Sequence, residues 1–265
     1  MNKKLPITAI ITALNDAKDI RDSLESISFC DEIILIDLES NDNTLEIAKN
    51  MGVTTYSHER VPIVEIIQYE FVGQAKHNWI LTIDPDERIS KALKQDIFNL
   101  FNSETIDKVA GIYVPWVFYF KKHKLKGTVW GGSNTKKIIS DRRRYIFRPI
   151  VHNGCTLIDE KSIEYKIPDK GDNVLNHYWM TSYQQLFEKH WRYIKKEVEN
   201  KYISGKRTNI KAIIKTPIKA FRDCFLKKKG YKDGVIGFFL SLFWAWYNTS
   251  IEIGIYHYQR KQVKN

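Results

Sequence analysis

Hydrophobic and polar positions switch between two regimes along the first ninety residues. ITAIITAL, residues 7 to 14, is an apolar and β-branched run that predicts a buried strand, ended by Asn15-Asp16. In DIRDSLESIS, residues 19 to 28, Ile20, Leu24 and Ile27 recur at helical spacing. EIILID, 32 to 37, is a second buried strand; after SNDNT, LEIAKNMG is a helix ending at Gly52. VTTYSH, 53 to 58, is a third strand. Residues 63 to 76 carry Ile63, Ile66, Ile67, Phe71 and Ala75 as a third helix, and 79 to 83 form a fourth strand. The order β-α-β-α-β-α-β predicts an α/β fold: a mostly parallel, Rossmann-like sheet flanked by helices, with ligands at the carboxyl ends of its strands.

From residue 91 the pattern changes. LKQDIFNLF reads as a helix, GIYVPWVFYF (111 to 120) as an aromatic strand leading into the basic loop KKHKLKG, and 128 to 180 as short strands and loops. Residues 183 to 203 form a helix with Leu186, Phe187, His190 or Trp191, Ile194 and Val198 on one side. The predicted organisation is one domain over 1 to 200, in halves 1 to 90 and 91 to 200, followed by a helical C-terminal extension, 201 to 265.

Composition sharpens this. A chain of 265 residues that is 43% hydrophobic can bury one substantial domain. Its net charge of +11 is concentrated: roughly eleven Lys or Arg against two Asp lie between Lys201 and Gly234, which favours an anionic partner. Cys30, Cys155 and Cys224 form no CxxC pair, arguing for a reducing compartment and against disulfides or structural zinc. The N-terminus reads as a strand rather than a signal peptide, so a cytoplasmic location is expected. VIGFFLSLFWAWY (235 to 247) is shorter than the roughly twenty residues a spanning helix needs. It fits either a helix lying in the membrane interface, with Trp244, Trp246 and Tyr247 at headgroup level, or a core helix closing the domain.

The candidate chemistry lies where strands end. ILTIDPDERIS runs a buried strand into Asp84, Pro85, Asp86 and Glu87. Such residues also make an ordinary turn, with Ser90 starting the next helix. At a strand end of a parallel sheet, however, two carboxylates repel unless a hard divalent ion and substrate phosphates resolve the charge. Glu87 is expected to support the turn or pair with Arg88. Asp37 ends the second strand and can accept a hydrogen bond from a base or ribose. Asp42 or Ser40 is placed to cap the helix near Thr44, and Asn15 lies on the same sheet edge.

The stretch ITAIITALNDAKDIRDSLESISFCDEIILIDLESNDNTLEIAKNMGV with NWILTIDPDERIS resembles the nucleotide-sugar half of family 2 glycosyltransferases. It most resembles the branch of lipopolysaccharide or lipooligosaccharide core β-1,4-glucosyltransferases, more loosely through TVWGGSNTKK and LNHYWMTSYQQLFEKHWRY. The resemblance implies a GT-A fold and an inverting transfer of a hexose from a nucleotide-diphospho-sugar, UDP-sugar favoured. The acceptor would be a glycan or lipid-linked molecule in cell-surface polysaccharide synthesis. The resemblance also implies a divalent cation, Mg2+ or Mn2+, held by Asp84, Asp86 and His177. Thr12, Asn15, Asp37 and Asp84 would bind the nucleotide-sugar. Peripheral attachment to an anionic membrane surface, on the inner face of the cytoplasmic membrane, would suit a lipid-linked acceptor.

Several positions depart from the family pattern: Leu38 replaces an Asp or Ser, Glu39 a Gly, Ile67-Gln68-Tyr69 a Gln-Arg-Asn-like run, and Val151-His152-Asn153 a VHE-like tripeptide. An inverting transfer needs a base for the acceptor hydroxyl. The Asp159-Glu160 pair is the first candidate, followed by Asp141, Asp169 and Asp172, while His152 reads as structural. A metal-dependent sugar nucleotidyltransferase is the main alternative, although ALNDAKD lacks the glycines of its usual loop. A nucleic-acid-binding module is the second, but no such motif is visible and no nucleic-acid partner is expected.

Overall fold

A computed structural model describes residues 4–132, 134–149, 155–158 and 161–263. Asp159, Glu160 and the Val151-His152-Asn153 tripeptide lie outside the described residues. In chain order the elements are β1 (Leu5–Ala13), α1 (Ile20–Ser26), β2 (Cys30–Asp37), α2 (Thr44–Asn50), β3 (Thr54–Ser57), α3 (Val64–Val72) and β4 (Trp79–Thr82). β5 (Glu87–Ile89), α4 (Lys91–Phe101), β6 (Val109–Phe120), β7 (His123–Lys124), β8 (Asn134–Asp141) and β9 (Tyr145–Phe147) follow. β10 (Cys155–Leu157), β11 (Ile163–Lys166), β12 (Leu175–Met180), α5 (Tyr183–Ile203), α6 (Ile210–Arg222) and α7 (Gly234–Val263) complete the chain.

The chain divides into two compact units, Met1–Trp116 with Ser133–His177, and Val117–Gly132 with Tyr178–Asn265. The main sheet has the strand order β3-β2-β1-β4-β8-β6-β12-β5. β1 pairs in parallel with β2 and β4, and β2 with β3, as the β-α alternation predicts. Beyond β4 the partners β8 and β6 run antiparallel, which the mixed region after residue 91 did not reveal.

Both faces of the sheet are covered at β1, β2 and β4, while β3 at the edge is largely exposed. Side chains alternate along a strand, and the two cores follow that period. Ile7, Ala9, Ile11 and Ala13 of β1, Leu35 of β2 and Leu81 of β4 pack on one face, under Ile20 and Leu24 of α1 and Leu93 and Ile97 of α4. Ile10, Ile34, Ile36 and Ile80 pack on the other, under Ile67, Phe71 and Val72 of α3. Ser90 caps α4, its Oγ accepting from Leu93 N at 3.1 Å. α3 stops at Val72, short of the predicted 76, because Gly73 follows. The three-residue β5 is too short for any periodicity to announce. It exists because Leu175, Asn176 and His177 of β12 pair with it in antiparallel register.

In the second unit, α5 has the predicted bounds, with Ser182 Oγ accepting from Gln185 N at 3.0 Å as its cap. α7 is far longer than its apolar run. Asn248 and Thr249 do not break it, because their side chains donate back to the carbonyls of Trp244 (2.8 Å) and Ala245 (2.7 Å). Val198 of α5 packs with Tyr247, Ile251 and Ile255 of α7. α5 therefore lies with α6 and α7 in the unit formed by Val117–Gly132 and Tyr178–Asn265. The WGG segment is structural here: Trp130 packs on Trp179 and edge-on to His190, and Gly131 lies against the Gly127 backbone with no room for a Cβ. Among the described residues no helix is long and apolar enough to cross a membrane.

Leu81 is fully buried at the centre of the parallel sheet. Leu81→Ala is expected to lower the unfolding free energy by about 2–5 kcal/mol in chemical denaturation. A loss under about 1 kcal/mol would contradict the packing described.

Candidate active site

The loops after β1 and β2 are tied to each other at the carboxyl edge of the sheet. Asn15 N donates to Ser40 Oγ (2.9 Å), Asn41 N to Asn15 Oδ1 (2.8 Å), Ala17 N to Asp42 Oδ2 (3.1 Å) and Asp16 N to Thr44 Oγ1 (2.8 Å). Asn15 thus lies where the sequence places it, with its carbonyl oxygen spent on the neighbouring loop. Asp42, not Ser40, reaches the start of α2, accepting from Thr44 N at 3.0 Å. Asn15 and Glu39 both adopt left-handed backbone, φ 59° and 57°. Asn tolerates this region and Gly prefers it, which accounts for the glycine usual at position 39.

Asp37 is buried at the end of β2. Its Oδ2 accepts from Ser40 N at 3.1 Å, while Oδ1 is buried and finds no partner among the described residues. A buried acceptor left without a donor is rare enough to require a reason.

Asp84, Pro85, Asp86 and Glu87 make a closed turn. Glu87 N donates to Asp84 O at 3.0 Å, and Asp84 N donates back to Glu87 Oε2 at 3.1 Å. Arg88 holds the outside, donating to Pro85 O (3.0 Å) and Asp19 Oδ1 (2.9 Å). Glu87 therefore supports the turn as expected, but its ion-pair partner is Lys136 rather than Arg88. Lys136 Nζ lies 2.7 Å from both Asp84 Oδ2 and Glu87 Oε2. The register explains why: β8 runs antiparallel to β4 with Leu81 opposite Ile139, and continuing it puts Lys136 opposite Asp84. Burial pushes the Glu87 carboxyl above its usual range despite the ammonium beside it. For Lys136, burial acts to lower the ammonium, but Asp84 and Glu87 outweigh it and hold it above its ordinary value.

His177 is the register partner of Glu87, which brings its Nε2 within 3.2 Å of Asp86 Oδ2. Its ring stacks on Trp116, centroids 5.3 Å apart and planes 7° from parallel, and Lys136 lies 5.3 Å from the same indole. A cavity of about 190 Å³ opens at these strand ends, lined by Ile10, Thr12, Val64, Gln68, Thr82, Ile83, Asp84 and Lys136. Thr12 and Asp84 thus share one cavity. In the run at 67 to 69, Ile67 is core, Gln68 faces the cavity and Tyr69 is exposed. A larger depression of about 440 Å³ lies at the amino ends of β1 and β2, and none of the predicted site residues line it.

Among the described residues, no three His, Cys, Asp or Glu are grouped as a ready metal-ligand set. The structure joins Asp86 to His177 and turns Asp84 towards Lys136. Two ligand atoms each about 2.1 Å from one small cation stand about 3 Å apart when cis. The 3.2 Å between Asp86 Oδ2 and His177 Nε2 fits a shared divalent ion. Of the candidate bases, Asp141 is buried, bound by Arg143 at 2.6 Å, and paired with Trp79 at the far end of β4 from Asp84. Asp169 accepts from Gly171 N in its own loop, and Asp172 O is tied to Ser90 at the start of α4.

Asp16, Lys136 and Trp116 were not singled out from sequence. Asp16 is raised from 3.8 to about 6, by burial first and then by the charges of Asp86, Asp19 and Asp42, against a lowering bond from Leu14 N. A carboxyl raised on folding stabilises below its unfolded value, and that contribution is lost as pH climbs through about 6. Asp16→Asn, which keeps an acceptor for Leu14 N, should be more stable than the parent above about pH 6 and indistinguishable below about pH 4 in thermal unfolding. An equal gain at all pH values would remove the charge explanation.

The chain is similar to known proteins. Residues 8–165 match the family described as Glycosyl transferase family 2. A glycosyltransferase of Rickettsia bellii (strain RML369-C), described as uncharacterized, is 25% identical over 251 residues, 90% of this chain and 82% of its own. The lipopolysaccharide core biosynthesis glycosyltransferase LpsC of Rhizobium meliloti (strain 1021) is 25% identical over 274 residues, 100% of this chain and 96% of its own. A glucosyl-3-phosphoglycerate synthase from Mycobacterium tuberculosis, crystallised with Mn2+ and UDP-glucose, superposes at a TM-score of 0.34 and 20% identity. The chain spans 43% of that synthase, an overlap too limited to carry an argument. The family match covers more than half of the chain and takes in the β1–β4 sheet and the Asp84–Glu87 turn, so the chain belongs to glycosyltransferase family 2, with the α/β fold of the GT-A type.

Proposed function

We propose that the protein is an inverting glycosyltransferase moving a hexose from a nucleoside-diphosphate sugar, UDP favoured, to a glycan or lipid-linked acceptor. The cell-surface polysaccharide it would help to build is of the lipopolysaccharide-core kind, in line with the likeness to LpsC. The observation that carries the donor reading is the strand-end cavity shared by Thr12, Asp84 and Lys136. It combines a carboxylate with a fixed ammonium, and Asp86 on the adjoining turn pairs with His177 of β12.

The residues divide the work. Asp37 Oδ1, buried and lacking a donor, suits a base N–H or a ribose hydroxyl. Asp86 and His177, with Asp84, would hold Mg2+ or Mn2+, which when bound neutralises charge growing on the departing diphosphate. Lys136, anchored by Glu87, offers a second positive charge that needs no reorganisation as the bond breaks. Trp116 fixes the plane of the His177 ring. Inversion requires one displacement, with the acceptor hydroxyl losing its proton to a carboxylate as its oxygen attacks the anomeric carbon. The Asp159-Glu160 pair is the proposed base.

The test pairs UDP-hexose hydrolysis or transfer with UDP binding, each with and without Mn2+. Asp86→Ala should lower kcat by about 10²–10³-fold with unchanged melting temperature, and UDP binding should lose its dependence on Mn2+. Full activity in Asp86→Ala would take the residue out of the mechanism.

A further inference from the structure

We infer that the second unit carries a membrane-docking face, built on α6 and the exposed row of α7, whose partner is an anionic lipid bilayer surface. The inference does not depend on the catalytic reading. It also relocates the contact expected from the sequence. In the run 235 to 247, Leu240, Phe243, Ala245 and Tyr247 are buried in the unit's own core. Only Val235, Phe238 and Leu242 face outward, 85%, 47% and 49% exposed. The interfacial and core readings of that run thus apply to opposite sides of one helix.

The larger part of the face lies on α6. Ile210, Ile214 and Ile218 are 59%, 64% and 72% exposed. At a spacing of four they form one row along the helix. Lys211, Lys215 and Lys219 each follow one position later, a second row about 100° round the axis. The helix, IKAIIKTPIKAFR, contains no acidic residue, and those three lysines pair with no carboxylate among the described residues. Phe238 of α7 meets Phe221 at 5.6 Å and Phe225 at 5.8 Å, so the outward row of α7 adjoins α6. Lys227, Lys228, Lys229 and Lys232 add positive charge in the connection between the two helices.

Charge and shape choose the occupant. The cores of protein–protein interfaces are depleted in lysine, whereas here every exposed isoleucine has a lysine beside it. An amphipathic helix in a bilayer interface wants this arrangement, with apolar side chains below the headgroups and lysine stems reaching up to anionic lipid. Each lysine near such a surface contributes roughly a fivefold gain in partition, and the isoleucines add apolar burial.

The experiment is flotation of the full chain with phosphatidylcholine vesicles, with and without phosphatidylglycerol. The parent should float only with phosphatidylglycerol, and added salt should weaken it. Lys211→Gln/Lys215→Gln/Lys219→Gln should partition about a hundredfold more weakly. Ile214→Asp/Ile218→Asp should lose flotation while keeping the parent circular dichroism spectrum and melting temperature. Equal flotation of either variant, or no flotation of the parent, overturns the proposal. So does concentration-dependent dimerisation in sedimentation that Ile214→Asp/Ile218→Asp abolishes, because the face would then serve a second copy of the chain.

Discussion

The strand-end site depends on one buried charge. Glu87 is inaccessible to water, and an isolated carboxylate in that position would cost several kcal/mol. It is tolerated because Lys136 supplies a counter-charge to both oxygens, at 2.8 and 2.7 Å, and the Asp84 amide supplies a further donor. The same contacts close the turn that carries Asp84 and Asp86. Glu87, which the sequence leads one to expect as a support for the turn, is the anchor around which the turn is folded.

A second constraint works on the neighbouring loops. The segments after β1 and β2 bond to each other through side chains rather than through a sheet ladder. Asn15, Ser40, Asp42 and Thr44 are polar because they hold this edge together. Burial first, and then the charges of Asp86, Asp19 and Asp42, raise the Asp16 carboxyl to about 6. A site that gathers negative charge before any ligand arrives favours a cation and disfavours a bare phosphate.

The parallel strands and their helices were legible in the sequence because their signals are local. Continuous apolar runs in β1, β2 and β4 and the helical spacing in α1 and α5 report burial directly. The Asp84–Glu87 turn was legible because proline and aspartate at a strand end have few other uses. Lys136 was not, since nothing in TKKIIS distinguishes it from its neighbour Lys137, and only the register of β8 on β4 selects one of the two. Trp116 was submerged in an aromatic run, and β5 depends wholly on residues ninety positions away. The length of α7 was hidden because Asn248, Thr249 and Ser250 look like a helix end until the side chains of Asn248 and Thr249 are seen to bond backwards.

The stranded oxygen of Asp37 has a consequence for discrimination. Any molecule whose edge reaches the end of β2 meets an acceptor that water does not reach. A molecule presenting an N–H or O–H there relieves it, while one presenting a lone pair or a methyl group leaves it stranded, at a cost of about 1–3 kcal/mol. One unsatisfied atom can thus reject close chemical cousins by roughly ten- to a hundredfold without any steric clash.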